Sequence, residues 1–230
     1  MIKAILLDFN GVIIDDEPLQ MQTYQEILKG EDIDLSEEDY YSSMGMDDKT
    51  FIESAYRRAE KDFTDDRVSE ILEAKTAKWR EIVEKEIPLF GGVENFVKKM
   101  DKEFALGIVS MARREEIEYV LDKTGMRGSF SVILSAEDIT NCKPNHECYH
   151  KGFNLIDAWR TGAGSNPIVH GDCLVIEDSP QGIMAGKKAG LKTLGVTNTV
   201  SADELRKAGA DWVTKNLDDW MPDSIRRVFV

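Results

Sequence analysis

The stretch Lys3-Ala4-Ile5-Leu6-Leu7-Asp8-Phe9-Asn10-Gly11 is an apolar run that ends on a carboxylate and a glycine. An apolar run without alternation is the pattern of a strand buried on both faces, as in a parallel sheet, with a polar loop following it. Similar runs recur at Ala105–Ser110, Ser131–Ser135, Cys173–Glu177 and Lys192–Val196, and a short one at Trp212–Thr214. Between them fall helical patterns at Val93–Lys102, Arg113–Lys123, Glu147–Ile156, Pro180–Lys188 and Asp203–Ala208. Strands that alternate with helices predict βαβ units and an α/β fold with helices on both faces of a parallel sheet.

One segment departs from this pattern. Residues 15–87 carry 22 acidic and 10 basic side chains, a net of −12, whereas the other residues total −2 of the chain's −14. Pro18–Lys29, Ser36–Ser43, Asp47–Lys61 and Asp65–Glu86 have helical character, and Ser36 and the Asp47-Asp48 pair suit helix starts. Within the last of these, Val68, Ile71, Leu72, Trp79, Ile82 and Val83 follow a mostly helical spacing. The expectation is an all-helical domain, residues 15–87, inserted after the first strand of a core formed by residues 1–14 and 88–230. Pro88 and Gly91-Gly92 mark the return link.

Composition narrows the function. The chain has 230 residues, 42% hydrophobic and 31% charged, enough for a sizeable core. Net charge of −14 argues against a nucleic-acid or membrane-surface binder, which would present a basic face. Asp8 interrupts the first apolar stretch, so it does not read as a signal peptide. Three cysteines without a CxxC pair make no disulfide framework, and a reducing, cytoplasmic setting is expected.

Polar residues gather just after the strands' carboxyl ends, the rim where open α/β sheets bind ligands. They are Asp8 and Asn10, Ser110, Lys143 before Pro144, and Glu177-Asp178-Ser179. Phosphoryl transfer fits this set. Asp8 would be the nucleophile, and Mg²⁺ would find oxygen ligands in Asp8 and Asp178, with Glu177 holding a coordinated water. Ser110 and Lys143 would hold the phosphoryl oxygens, and Gly11 would let backbone amides approach them.

With these residues in order, the chain resembles the haloacid dehalogenase superfamily, in its branch with a helical cap after the first motif. It is similar in pattern to β-phosphoglucomutase-like and phosphoglycolate-phosphatase-like hydrolases. Asp8-Phe-Asn-Gly-Val12 resembles motif one, Ile108-Val-Ser110 motif two, Lys143-Pro144 motif three, and Val175-Ile-Glu-Asp-Ser-Pro-Gln-Gly182 motif four. The resemblance implies a Rossmann-like core, Mg²⁺ dependence, a mobile cap and a small phosphorylated metabolite as substrate. It also implies that the backbone carbonyl of Asn10 ligates the metal. Asp16, Gln20, Gly45, Lys49, Ser110, Met111 and Lys143 are the expected substrate contacts, and a monomer or weak dimer is the expected state.

Asn10 is the departure that matters. Relatives carry an aspartate there that protonates the leaving oxygen and activates water, help worth roughly 10²–10⁴-fold. Asn10 can keep the carbonyl ligand but moves no proton. A phosphatase with a substitute acid–base group, for which Asp16 is the candidate, is the leading expectation. A binding protein with weak or no turnover is one alternative. Another is a phosphonatase, with Lys49 forming a Schiff base. Gln20, where mutase relatives place histidine, lowers the phosphomutase reading. An acidic cap would disfavour bare polyanions, so a substrate with one phosphate and a neutral or cationic body is expected. Cys142, His146, Cys148, His150, His170 and Cys173 crowd one region, but Cys173 opening a buried strand favours packing over metal binding. Asp157–Gly171 is expected to be a surface loop.

Overall fold

The computed structural model describes residues 1–230. Strands β1 (Ala4–Leu7), β2 (Ala105–Val109), β3 (Phe130–Leu134), β4 (Cys173–Glu177), β5 (Lys192–Val196) and β6 (Trp212–Thr214) form one parallel sheet in the order β3-β2-β1-β4-β5-β6. All four residues of β1 are buried, because each face of the sheet is covered. Ile5, Leu7, Ile108 and Ile176 pack with α5 (Val93–Met100), α6 (Arg114–Lys123) and α10 (Pro222–Val228). Leu6, Val109 and Val175 point the other way, into α7 (Glu147–Gly162) and α8 (Pro180–Lys188), and α9 (Ala202–Lys207) packs beside β5 and β6. This two-sided burial is why the strands read as unbroken apolar runs.

Helices α1 (Glu17–Lys29), α2 (Glu37–Ser42), α3 (Asp48–Arg58) and α4 (Asp65–Val83) lie between β1 and β2, ahead of α5. Their starts are set by side-chain caps. Ser36 accepts from Asp39 N, Asp47 from Thr50 N, and Thr64 from Arg67 N. Tyr24, Leu28, Tyr40, Phe51, Ile52, Tyr56, Val68 and Ile71 form an apolar cluster of their own. The two connecting segments run side by side: Asp15 N donates to Pro88 O at 2.7 Å, and Phe90 N donates to Ile13 O at 3.2 Å. Toward its end α4 leaves the helical cluster, and Trp79 and Val83 enter the main core. No helix is long and apolar enough to cross a membrane.

Two expectations change. Residues 157–162 are the last turns of α7, not loop. The helix ends at Gly164, whose φ is +85°, with Gly164 N donating to Thr161 O and Ser165 N to Arg160 O. That is a Schellman stop, so the glycine ended a helix that a run of Gly, Ser and Asn had disguised. The second is α10, a seven-residue helix that lies beyond the last helical pattern of the sequence. It buries Ile225, and the flanking Trp220 and Phe229 complete its anchorage.

Trp79 joins the two parts, fully buried with its Nε1 donating to Asp16 Oδ2 at 2.7 Å. Trp79→Ala is expected to cost about 3–5 kcal/mol in urea unfolding followed by circular dichroism. Trp79→Phe keeps most of the volume and should lose only the charge-assisted hydrogen bond, about 1.5–3 kcal/mol. Equal losses in the two variants would contradict this division.

Candidate active site

The carboxyl ends of β1, β2 and β4 open onto one cavity roofed by the inserted helices. Asp8, Asn10, Gln20, Gly45, Ser110, Met111, Lys143 and Asp178 line it. Lys143 is buried at its base. Its Nζ lies 2.8 Å from Asp8 Oδ2 and 2.5 Å from Glu177 Oε1. Glu177 also accepts from Tyr149 Oη at 2.7 Å and, on Oε2, from Ser179 Oγ and from the amides of Asp178 and Ser179. Both its oxygens are therefore engaged. Asp178 accepts from Thr199 Oγ1 and has no cation beside it.

Charge explains the pKa directions. Burial and the charge of Glu177 raise Asp8 to about 6, against the pull of Lys143. Burial and the neighbouring Glu177 and Asp8 push Asp178 well above the carboxylate range. Burial would raise Glu177 too, but Lys143 and its hydrogen bonds hold it below the ordinary value. Burial opposes the charge on Lys143, and Asp8 and Glu177 override it and raise it. One oxygen each from Asp8, Glu177 and Asp178 lie within 4.8 Å of one another. Three carboxylates around one ammonium leave a deficit of positive charge, and an all-oxygen donor set suits a hard divalent cation.

Glycine is required twice here. Gly11 has φ +74°, and a Cβ on it would lie 1.9 Å from Asp178 Oδ2. Its own amide donates to Ile14 O at 3.0 Å. A Cβ on Gly182 would lie 1.8 Å from Glu177. Ser179 caps α8 through its Oγ. Ser110 accepts from Ala112 N, while Arg113 occupies the N-cap position of α6, so Ser110 does not cap that helix.

Two expected contacts lie elsewhere. Asp16 is fully buried beneath the cavity wall, accepting from Asn10 Nδ2 at 2.8 Å, Gln20 Nε2 at 2.9 Å and Trp79 Nε1. Lys49 lies outside the lining, its side chain 57% exposed beside Glu53 and Asp65. The lysine that the helical insertion does bring to the wall is Lys75, 1% exposed, at 2.9 Å from Asp48 and 3.0 Å from Glu116. It interrupts the apolar stripe of α4, where a lysine reads as surface. Glu17, Tyr24, Tyr40, Asp48 and Glu116 were also missed, because only the packing of α1, α2, α3 and α6 brings them to one cavity. In the Cys/His region, Cys148 and Cys173 are buried in the core, and Cys142 donates to Asp47 Oδ2 at 3.0 Å. His150 stacks on His146 at a ring distance of 6.0 Å and lies tilted 6.3 Å from His170, on which Phe153 stacks at 4.3 Å.

The family model for haloacid dehalogenase-like hydrolases matches residues 5–196. The chain belongs to this family. It is 28% identical to glycerol-1-phosphate phosphohydrolase 2 of Saccharomyces cerevisiae over 222 residues, 94% of this chain and 82% of that protein. Identity to hexitol phosphatase B of Escherichia coli K12 is 26% over 212 residues, 91% of this chain and 90% of that one. The structure of β-phosphoglucomutase from Clostridium difficile covers 100% of this chain and 97% of its own, with TM-score 0.82 at 20% identity. This hydrolase therefore has phosphatases among its relatives and shares the fold of that mutase.

Asp8, raised to about 6, and Glu17 and Glu116, each raised to about 7 chiefly by burial, hold protons in the fold that the unfolded chain has released. Above about pH 5 the folded state thus binds more protons, and stability falls as pH rises through their folded values. Carboxyls held low, such as Glu147 and Glu177, destabilise only below that window. The melting temperature of metal-free protein should drop between about pH 5 and pH 7.5; a rise over that range would contradict the assignment.

Proposed function

We propose that the protein is a Mg²⁺-dependent phosphomonoesterase of small phosphorylated metabolites, working through an aspartyl-phosphate on Asp8. The observation that carries this reading is the buried Lys143 bridge, which sets an aspartate at the cavity floor beside Ser110 and Asp178. Lys143 favours the ionised, nucleophilic form of Asp8, and Asp8 Oδ attacks phosphorus. Lys143 and Ser110 Oγ take the charge of the phosphoryl oxygens. Asp8, Asp178 and the carbonyl of Asn10 would hold Mg²⁺, with Glu177 behind them. The ion supplies positive charge to the phosphoryl group. Residues 15–87 act as the cap over a core of 1–14 and 88–230.

The cap side of the cavity supports a substrate with one phosphate and a neutral, hydroxyl-bearing or cationic body. Glu17, Asp48 and Glu116 face Lys75, which Asp48 and Glu116 already engage. No cation there remains for a second anionic group. Gln20 Oε1 is buried without a partner, and Tyr24 Oη, beside the charge of Asp48, has no hydrogen bond of ordinary geometry. Both suit hydroxyls. The exposure of Lys49 among carboxylates counts against Schiff-base chemistry, which needs a desolvated amine.

The test is a panel of monophosphates and bisphosphates of polyols and sugars, glycerol 1-phosphate included, assayed with Mg²⁺. Monophosphates should turn over faster than bisphosphates of the same skeleton, and chelation should abolish turnover. Asp8→Asn should lower the rate at least about 10³-fold. Undiminished turnover in that variant would remove the nucleophile assignment.

A further inference from the structure

Asn10 leaves the reaction proposed above without a proton carrier, since an amide neither gives nor takes the proton. Asp16 is no replacement. Its oxygens already accept from Asn10, Gln20 and Trp79, and it is walled off from the cavity. Five carboxylates do line the cavity: Asp8, Glu17, Asp48, Glu116 and Asp178. Asp8 is paired with Lys143, and Asp48 and Glu116 with Lys75. Of the two without a cation, Asp178 belongs to the oxygen cluster suited to a metal. Glu17 remains. It stands in the first turn of α1, half-buried, with Oε2 accepting from Tyr40 Oη at 2.7 Å and Oε1 unpaired.

We propose that Glu17 is the general acid–base residue of this enzyme, replacing the carboxyl that Asn10 lacks. The inference rests on the phosphatase reading of Asp8. As Asp8 Oδ bonds to phosphorus and the ester P–O bond breaks, the Glu17 carboxyl gives its proton to the leaving oxygen, which departs as alcohol. Water then attacks the phosphorus of the aspartyl-phosphate, and the Glu17 carboxylate takes its proton. The bond between Asp8 and phosphorus breaks, inorganic phosphate leaves, and both carboxyls return to their starting forms. The groups facing Glu17 suit both halves. Burial, Asp16 at the helix start and Asp8 at the end of β1 raise it to about 7, against the Tyr40 hydrogen bond and the charge of Lys75 from α4. Asp178 from the β4 rim and Tyr41 from α2 also face it. A group poised near neutrality can both donate and accept.

Two probes separate Glu17 from Asp8. p-Nitrophenyl phosphate releases a stable phenolate that needs no proton, whereas glycerol 1-phosphate releases an alkoxide that does. Glu17→Gln should lower kcat on glycerol 1-phosphate by about 10²–10⁴-fold. With p-nitrophenyl phosphate it should show a first-turnover burst of p-nitrophenolate and accumulate the phosphoenzyme, because water is no longer activated. Adding Asn10→Asp to Glu17→Gln should return kcat to within about tenfold, and Glu17→Asp should retain more turnover than Glu17→Gln. A raised KM with unchanged kcat, or no rescue by Asn10→Asp in a folded double variant, overturns the assignment and leaves Glu17 a binding residue. Undiminished turnover in Asp8→Asn, or a Glu17→Gln burst that survives the addition of Asp8→Asn, overturns the Asp8 reading itself. An Asp8-dependent burst with undiminished kcat in Glu17→Gln overturns only the role of Glu17.

Discussion

The site depends on one buried ammonium. Lys143 draws Asp8 and Glu177 from two adjacent strands onto one point, and those carboxylates stay buried because the ammonium offsets their repulsion. Two carboxylates without it would have to take up protons or move apart. Glu177 in turn is held by Tyr149 from α7 and by the amides at the start of α8, so the bridge ties the sheet to both helices of that face. Asp178 is left as the carboxylate at the rim without a cation. This imbalance makes the cluster suited to a divalent ion.

A second buried ammonium plays the corresponding part across the division between the inserted helices and the core. Lys75 of α4 joins Asp48 of α3 to Glu116 of α6, and Thr76 Oγ1 donates to Glu116 while accepting from Arg113. Cys142 and Asp47 meet across the same boundary, and Gly45 lies against Lys143. These contacts are polar and local, whereas the insertion's apolar cluster is separate from the main one. Trp79 and Val83 at the end of α4 are the apolar exception, packed into the main core.

Much of the fold was legible along the chain. β1, β2 and β4 are buried along their whole length, so their apolar runs are unbroken, and Ser36 and Asp47 cap helices where their position suggested. The boundary of α7 was misplaced because glycine, serine and asparagine gather both where helices stop and in loops. Only the backbone at Gly164 distinguishes the two. The residues at the strand ends were legible as well, since a strand's carboxyl end fixes where its next residue emerges. The contribution of the inserted helices was not. Lys75 is not among the residues the sequence singles out, whereas Lys49 and Asp16 are expected contacts.

By itself, the sequence determined the strand-and-helix alternation, the place of the insertion and the Asp8, Ser110 and Glu177-Asp178 set, because these follow from local periodicity and strand-end position, while Lys143, in the loop beyond β3, was marked only by its place before Pro144. The tertiary structure alone decided which charges pair and which stay free. Asp16 and Glu17 are neighbours in the chain, yet one is closed off by three donors and the other faces the cavity with an unpaired oxygen. Their surroundings diverge in part because Trp79 reaches Asp16 from 63 residues away and Tyr40 reaches Glu17 from 23. Local sequence carries no record of those distances.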